Sequence, residues 1–320
     1  MTLSFCGIYA HSKWYKKALL LVSLAFFFLF LSSSLVFLIQ KIGNIAADSA
    51  AWMLCEQAIV SILTFVGSTW FWAYLTQPNW LEFLGLTQKS KKRLYVIASF
   101  ALFSILPVVN ITAIWNEQLT LPASLQAIET LMRQMEDAAN EATLTMLSPN
   151  GIFGWIAVVF VVAFLAALGE ELLFRGGIQK GIEKKTGNLH LAVWCSALLF
   201  SFIHFQFYGF VPRLILGVVL GYFYAYSGSL RISIWAHFLN NFMSIVYYKL
   251  IVIPTEELYA HAHVEVIQPD SQTAAIIGDL DQKVADSMSE WMLYVAAGCL
   301  MLYVLWMLLF VFVARNRKAQ

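Results

Sequence analysis

Three short stretches of the chain hold residue types able to do chemistry at spacings that would bring them together. In Glu170-Glu171-Leu172-Leu173-Phe174-Arg175, two adjacent carboxylates precede an arginine. Residues four apart share one face of an α-helix, so Glu171 can pair with Arg175. Glu170 then points about 100° away and is free for another task, such as that of a general base or acid. The same hexapeptide also fits an interfacial ion pair that ends a helix at the lipid headgroups. His204 follows Phe200 by four residues. An imidazole between apolar helices needs a hydrogen-bond partner, and it either packs helices together or serves a site. His237 and Asn241 are again four apart and project from one helix face, one turn from each other. Two aligned side-chain donors can stabilise a developing oxyanion, or they can act as glue between helices. Asn240 faces roughly 100° elsewhere and is the weaker candidate. As a set, a carboxylate, two histidines and an asparagine from three helices can activate a water and bind the charge it creates. That is the minimum equipment for hydrolysing an amide.

The elements that must position these groups are membrane helices. Of the 320 residues, 60% are hydrophobic and only 12% are charged, and the mean hydropathy is +0.71. Soluble domains run nearer ~45–50% apolar and ~25% charged. A net charge of +1 offers no basic footprint for nucleic acid. The chain is therefore expected to be an all-α, polytopic membrane helix bundle, since a helix needs about 20 apolar residues to span a bilayer. About eight candidate spans are readable, at roughly 18–39, 52–75, 94–114, 152–173, 190–207, 212–228, 230–250 and 291–313. The Gly-rich stretch 174–189 reads as a loop or a short surface helix. The first apolar run is longer than the ~7–15 residues of a signal-peptide core, so a retained helix is expected. With the N-terminus inside and eight crossings, the inner segments hold fifteen of the twenty Lys and Arg. That bias predicts an N-in, C-in topology.

Outside the spans, 123–147 has apolar residues at helical spacing and is expected to lie as an amphipathic helix at the outer interface. Residues 251–290 are acidic and poorly periodic, and read as an outer loop. His261 and His263, near Glu256 and Glu257, could conceivably hold a metal, though a solvated loop is the simpler reading. Glu56 and Asn110 are further polar groups inside spans. Cys6, Cys55, Cys195 and Cys299 have no C-x-x-C spacing and read as small buried hydrophobes. No internal repeat of the kind found in secondary transporters is present.

Glu-Glu-x-x-x-Arg (Glu170, Glu171, Arg175), then Phe-x-x-x-His (Phe200, His204), then His-x-x-x-Asn (His237, Asn241), in that order and at these gaps, resembles the CPBP family. These are the CAAX proteases and bacteriocin-processing, ABI-type intramembrane proteases. The resemblance covers about 150–250. It implies a catalytic core at 151–250, while the span and charge reading divides the rest into membrane helices 1–3 plus the amphipathic segment (1–150), the acidic outer loop (251–290), and a last membrane helix with a basic tail (291–320). It implies an intramembrane endopeptidase with its site in a cavity between helices. Glu170 would activate water and His204 would help to hold it. His237 and Asn241 would form the oxyanion hole, with Glu171 and Arg175 as a supporting pair. Family members have also been described as zinc enzymes, and Glu170, His204 and His237 would then be the ligands. The chain has no His-Glu-x-x-His, and Asn241 is a poor zinc ligand, so a metal-free, cofactor-free glutamate mechanism is favoured. The implied partners are the bilayer, taken as a bacterial inner membrane, and a membrane-associated peptide or protein substrate, prenylated or bacteriocin-like. The competing readings are a non-catalytic immunity or scaffold protein and, further off, a proton-coupled transporter.

Overall fold

The computed structural model describes residues 5–253 and 271–315, except for the side chains of 271–290. The motif-carrying and flanking elements are all helical, and no strand occurs among the described residues. The helices are α1 Trp14–Gly43, α2 Ala50–Thr76, α3 Lys92–Glu117, α4 Gln126–Leu147, α5 Gly151–Thr186, α6 Leu189–Phe202, α7 Phe210–Ser227, α8 Leu230–Tyr247 and α9 Ser271–Arg315. Six of them, α1, α2, α3, α5, α7 and the Trp291–Arg315 part of α9, are long and apolar enough to cross a bilayer. The protein is an integral, multi-pass membrane helix bundle. Its broad outer surface of exposed Phe, Leu and Ile, such as Phe26, Phe30 and Leu308, suits contact with lipid rather than water.

Four elements depart from the sequence expectation. Helix α5 does not end at the motif glutamates. It runs on through Arg175 and the glycines to Thr186, so Glu170 and Glu171 lie inside a helix rather than at its end. Gly176 and Gly177 look like breakers, but they serve close packing. A Cβ on Gly176 would stand 3.0 Å from Leu84 Cδ2, and one on Gly177 3.3 Å from Leu21 Cδ2. The helix stops at Gly187, whose φ of 66° is left-handed and whose N–H bonds to the Glu183 carbonyl.

Helix α6 is shorter than expected. It ends at Phe202, which leaves His204 in the following loop rather than on a helix. Nothing in the local sequence breaks it before Gly209. Tertiary bonds hold the turn instead. Ser201 Oγ donates to the Phe210 carbonyl at 2.6 Å. Asn116 of α3 donates to the Phe207 carbonyl at 3.0 Å and accepts from the Val211 N–H at 2.8 Å. At about 1.5 Å per residue, the 14 residues of α6 fall well short of a ~30 Å hydrocarbon core.

The expected outer loop 251–290 is helical in its second half, because α9 begins at Ser271 and continues unbroken into the last span. The Ala-, Gln-, Lys- and Met-bearing stretch supports a helix by intrinsic propensity without the periodicity that would reveal one. His261, His263, Glu256 and Glu257 lie outside the described residues. Finally, Arg175 is buried within the bundle and is not one of the loop charges that orient it. The amphipathic segment, by contrast, forms α4 much as its spacing suggests.

Three apolar clusters knit the bundle. One joins α3, α7, α8 and α9 around Leu102, Phe223, Ile232 and Phe310. A second joins α1, α2, α5 and α7 around Trp72, Phe174 and Tyr224. The third joins α2, α4, α5 and α8 around Leu54, Leu147, Val158 and Ile245. Helices α5 and α8 therefore sit centrally, and they carry two of the three motifs. Within α5 the backbone widens into π turns at Val159–Leu165 and Leu172–Gln179, which flank the α-helical turn Ala166–Glu171. Such turns are frequent at functional sites because they re-aim side chains.

Helices α6 and α7 approach closely through Gly217 and Gly221, a small-x-x-x-small pair that lets membrane helices touch. A Cβ on Gly217 would lie 3.1 Å from Ala197 Cβ and 3.2 Å from Phe200 Cδ1. Gly298 in α9 has nothing within 4 Å of that position. Gly217→Val should therefore cost about 1–3 kcal/mol through overpacking, read as a lowered unfolding midpoint in detergent. Gly298→Ala should be neutral or slightly stabilising. Equal midpoints for the two variants would remove the claim that the α6–α7 contact is close-packed at Gly217.

Candidate active site

The sequence-singled groups converge, and one buried carboxylate organises them. Glu171 is fully buried, and its Oε1 lies 2.7 Å from Arg175 Nη1. The same oxygen accepts from His237 Nδ1 at 2.9 Å. Its second oxygen, Oε2, accepts a hydrogen bond from the Ser233 hydroxyl. Arg175 in turn donates from Nη2 to the Gly217 carbonyl at 3.0 Å, and its guanidinium lies over the Phe200 ring at 4.7 Å. The pair expected from i,i+4 spacing is present, and it does more than support itself. Charge is neutralised inside the pair, the remaining lone pairs of the carboxylate are used, and the imidazole of His237 is fixed in orientation.

That orientation has a chemical consequence. A carboxylate only accepts, so His237 carries a proton on Nδ1, and Nε2 faces the other way. It points toward Glu170, whose Oε2 is 3.7 Å distant. Nε2 therefore offers a lone pair in the neutral ring and a donor only when the ring is doubly protonated.

Glu170, His204, His237 and Asn241 line a cavity of about 460 Å³, together with Asn240 and Arg213. Glu170 is 15% exposed and His237 6%, so both side chains are recessed yet reachable. His204 donates from Nδ1 to the Phe200 carbonyl at 2.8 Å. Its Nε2 is then an acceptor available to a water. Both imidazoles pack edge-on against Phe200, with centroids at 5.2 Å for His204 and 5.9 Å for His237. Asn241 Nδ2 reaches the Val162 carbonyl at 3.4 Å, and its Oδ1 accepts from Asn240 at 3.2 Å. One amide hydrogen of Asn241 stays uncommitted. Asn240, expected to face elsewhere, lines the cavity as well, because the cavity wall spans more than one stripe of α8.

Several working residues were not singled out by sequence. Ser233 lies one turn before His237, so Ser233, His237 and Asn241 form an i, i+4, i+8 row that spacing could have exposed. Gly217 and Asn116 act through contacts distant in sequence and left no local signal. Glu56 and Asn110 are on exposed surfaces and take no part in the site.

The outer wall is held by α4. Arg133 lies over the Tyr208 ring at 4.3 Å, which clamps the loop that carries His204. Arg133 also pairs with Glu129 at 2.9 Å. The Leu121 N–H, at 2.8 Å, and Arg133 together hold the Glu129 carboxyl below the usual carboxylate range.

Zinc requires three or more ligands drawn to one point. Among the described residues, no three His, Cys, Asp or Glu side chains come together as such a group. Glu170, His204 and His237 as placed do not fit a zinc ion without rearrangement, so no step is routed through one.

The fold and the site define a multi-pass membrane protein with a recessed carboxylate–imidazole–amide cavity. Residues 152–243 match the family model described as Type II CAAX prenyl endopeptidase Rce1-like. The matched segment contains all three motifs and bears out the resemblance to the CPBP family. An uncharacterized protein of Bacillus subtilis (strain 168), YpbD, is 28% identical over 85 residues, which is 25% of this chain and 40% of that relative. The match thus spans less than half of the relative's length. No solved structure matches this chain.

The coupling within the buried pair can be measured. Arg175→Met should destabilise the protein by about 3–5 kcal/mol, because it strands a buried carboxylate. Adding Glu171→Gln should recover part of that loss. A double-mutant cycle on thermal stability should show coupling above ~0.5 kcal/mol. Strict additivity would mean that the two side chains do not interact.

Proposed function

We propose that this protein is an intramembrane endopeptidase that hydrolyses a peptide bond in a membrane-associated, prenylated or bacteriocin-like substrate, without a metal, in a bacterial inner membrane. The observation that carries the reading is the cavity shared by Glu170, His204, His237 and Asn241, each aligned by a hydrogen bond or by a neighbour that is itself held. The family match supports the reaction class.

Glu170 is the general base. A water accepted between its carboxylate and His204 Nε2 gives a proton to Glu170 as its oxygen bonds to the scissile carbonyl carbon. The charge developing on the carbonyl oxygen is met by the free N–H of Asn241 and by Nε2–H of His237 in its doubly protonated form. Glu171, accepting at Nδ1, compensates that positive ring. As the C–N bond breaks, Glu170 passes the proton to the leaving amine; the water is consumed, its oxygen ending in the new carboxyl group, and the Glu170 carboxylate is restored as two peptide fragments leave. Glu171 and Arg175 serve as positioning residues. The proposed catalytic core is 151–250, and the N-in, C-in topology sets the basic loops on the cytoplasmic side.

The test uses purified full-length protein in detergent and a fluorogenic prenylated Cys-x-x-x peptide. Glu170→Gln and His204→Ala should each abolish cleavage while leaving the unfolding midpoint near that of the wild type. His237→Ala and Asn241→Ala should each cost on the order of 10²–10³ in kcat with little change in KM. Asn241→Asp should be worse still, because it sets a negative charge beside an oxyanion. Elemental analysis of the same samples addresses zinc. One stoichiometric zinc in the wild type, lost in His237→Ala, would reassign His237 as a ligand. Full activity in Glu170→Gln would overturn Glu170 as the general base, and absence of any cleavage by the wild type would return the protein to a non-catalytic or transport role.

A further inference from the structure

Arg213 stands on the cavity wall with Glu170, His204, His237 and Asn241, and the reaction outlined above does not use it. Its guanidinium is half committed. Nη2 donates to Gln206 Oε1 at 2.8 Å, whereas Nη1 is buried and has no hydrogen-bond partner. No ion pair forms within 4 Å of it among the described residues. The carboxylates near enough to act on its charge are Glu136 of α4 and Glu170. Leaving a buried guanidinium nitrogen without an acceptor is costly, so the arrangement is poised for an acceptor that arrives with the substrate. The backbone makes room for the group as well. A Cβ on Gly209 would stand 2.8 Å from Nη2, so the guanidinium lies directly against the loop and would have to shift if a side chain were added there.

A guanidinium that lines the cavity with one nitrogen still lacking an acceptor is matched in charge by a carboxylate. Resting on the endopeptidase reading, we propose that Arg213 is a specificity-determining residue that binds a carboxylate of the substrate within the shared cavity. The carboxylate has two possible sources, the free C-terminus of the peptide or an acidic side chain near it. In either case Arg213 selects substrates that present an anion to the cavity. It also keeps Glu170 from being the only charge that an incoming peptide meets.

The experiment reads a ratio. Three prenylated reporter peptides of one sequence are compared: the free acid, the C-terminal amide, and the amide with Asp in place of the final residue. In the wild type, the anionic forms should exceed the neutral amide by roughly 10–100-fold in kcat/KM, as expected for a charge-assisted pair. A preference for the free acid alone identifies the C-terminus as the source, and equal preference for the Asp amide identifies charge from either source. Arg213→Gln should bring the ratio to near one, and Arg213→Lys should restore part of it. Gly209→Ala, which leaves Arg213 in place but displaces its guanidinium, should also lower the ratio. Binding of the same free-acid and amide peptides to Glu170→Gln and to Glu170→Gln/Arg213→Gln, by fluorescence anisotropy, provides a readout that needs no turnover. If acid and amide bind Glu170→Gln equally, or if Arg213→Gln leaves the acid/amide ratio of kcat/KM unchanged, the proposal is overturned. Acid-selective binding by Glu170→Gln that disappears with Arg213→Gln, alongside a wild type that cleaves none of the peptides, would uphold Arg213 as the anion site and overturn the endopeptidase reading alone.

Discussion

The architecture around the cavity depends on one buried ion pair. Glu171 and Arg175 are both excluded from solvent, and between them they touch four helices. Glu171 on α5 accepts from His237 and Ser233 on α8. Arg175 donates to the Gly217 carbonyl of α7 and lies over Phe200 of α6. Burying two charges is expensive, and a well-packed apolar pair would often serve stability equally well. An apolar pair could not orient an imidazole. The pair sets the tautomer and direction of His237, and through the Gly217 carbonyl it fixes where α7 crosses α6. The glycines on α7 are part of the same constraint. Without a Cβ at Gly217, α7 seats directly against Ala197 and Phe200 of α6, and in that position its carbonyl takes the Arg175 bond.

This dependence explains which parts of the site were legible in the sequence. Contacts that follow one helical turn were visible. Glu171–Arg175 and His237–Asn241 are i,i+4 relations, and the structure retains both as neighbours on their faces. Ser233 obeys the same period but was passed over, because a serine in an apolar helix carries little signal beside a histidine. Asn116 and Gly217 act between segments far apart in sequence, where no local spacing could reveal them. The helix boundaries erred where tertiary bonds outweigh local pattern. The π turns and tight glycine packing carry α5 through a stretch that looks like a loop. The Asn116 and Ser201 bonds end α6 inside a stretch that looks helical.

The end of α6 matters for the chemistry. A histidine held within a regular helix would have its own backbone carbonyls saturated by the ladder. His204 lies beyond the last turn, where the Phe200 carbonyl remains open and takes its Nδ1–H. That single bond directs Nε2 away from the helix and into the cavity. The loop is kept in place from outside by Asn116 and by Arg133 stacked on Tyr208, so α3 and α4, outside the segment that matches the family, still determine where a family motif points.

On the proposed mechanism, the adjacency of Glu170 and Glu171 resolves a conflict that any recessed carboxylate base faces. A base held rigidly by hydrogen bonds is a weak base, because each bond stabilises the ionised form and lowers its affinity for a proton. A base without such bonds is loosely placed. Here the two requirements fall on neighbouring residues. Glu171 takes the bonds from Arg175, His237 and Ser233 and immobilises the turn. Glu170 shares that backbone and projects about 100° away, with the imidazole of His237 at 3.7 Å as its nearby polar group. Its position is set by its neighbour's bonds, while its own oxygens stay free to take a proton. The two carboxylates are not redundant: one spends its lone pairs on geometry so that the other can keep its own.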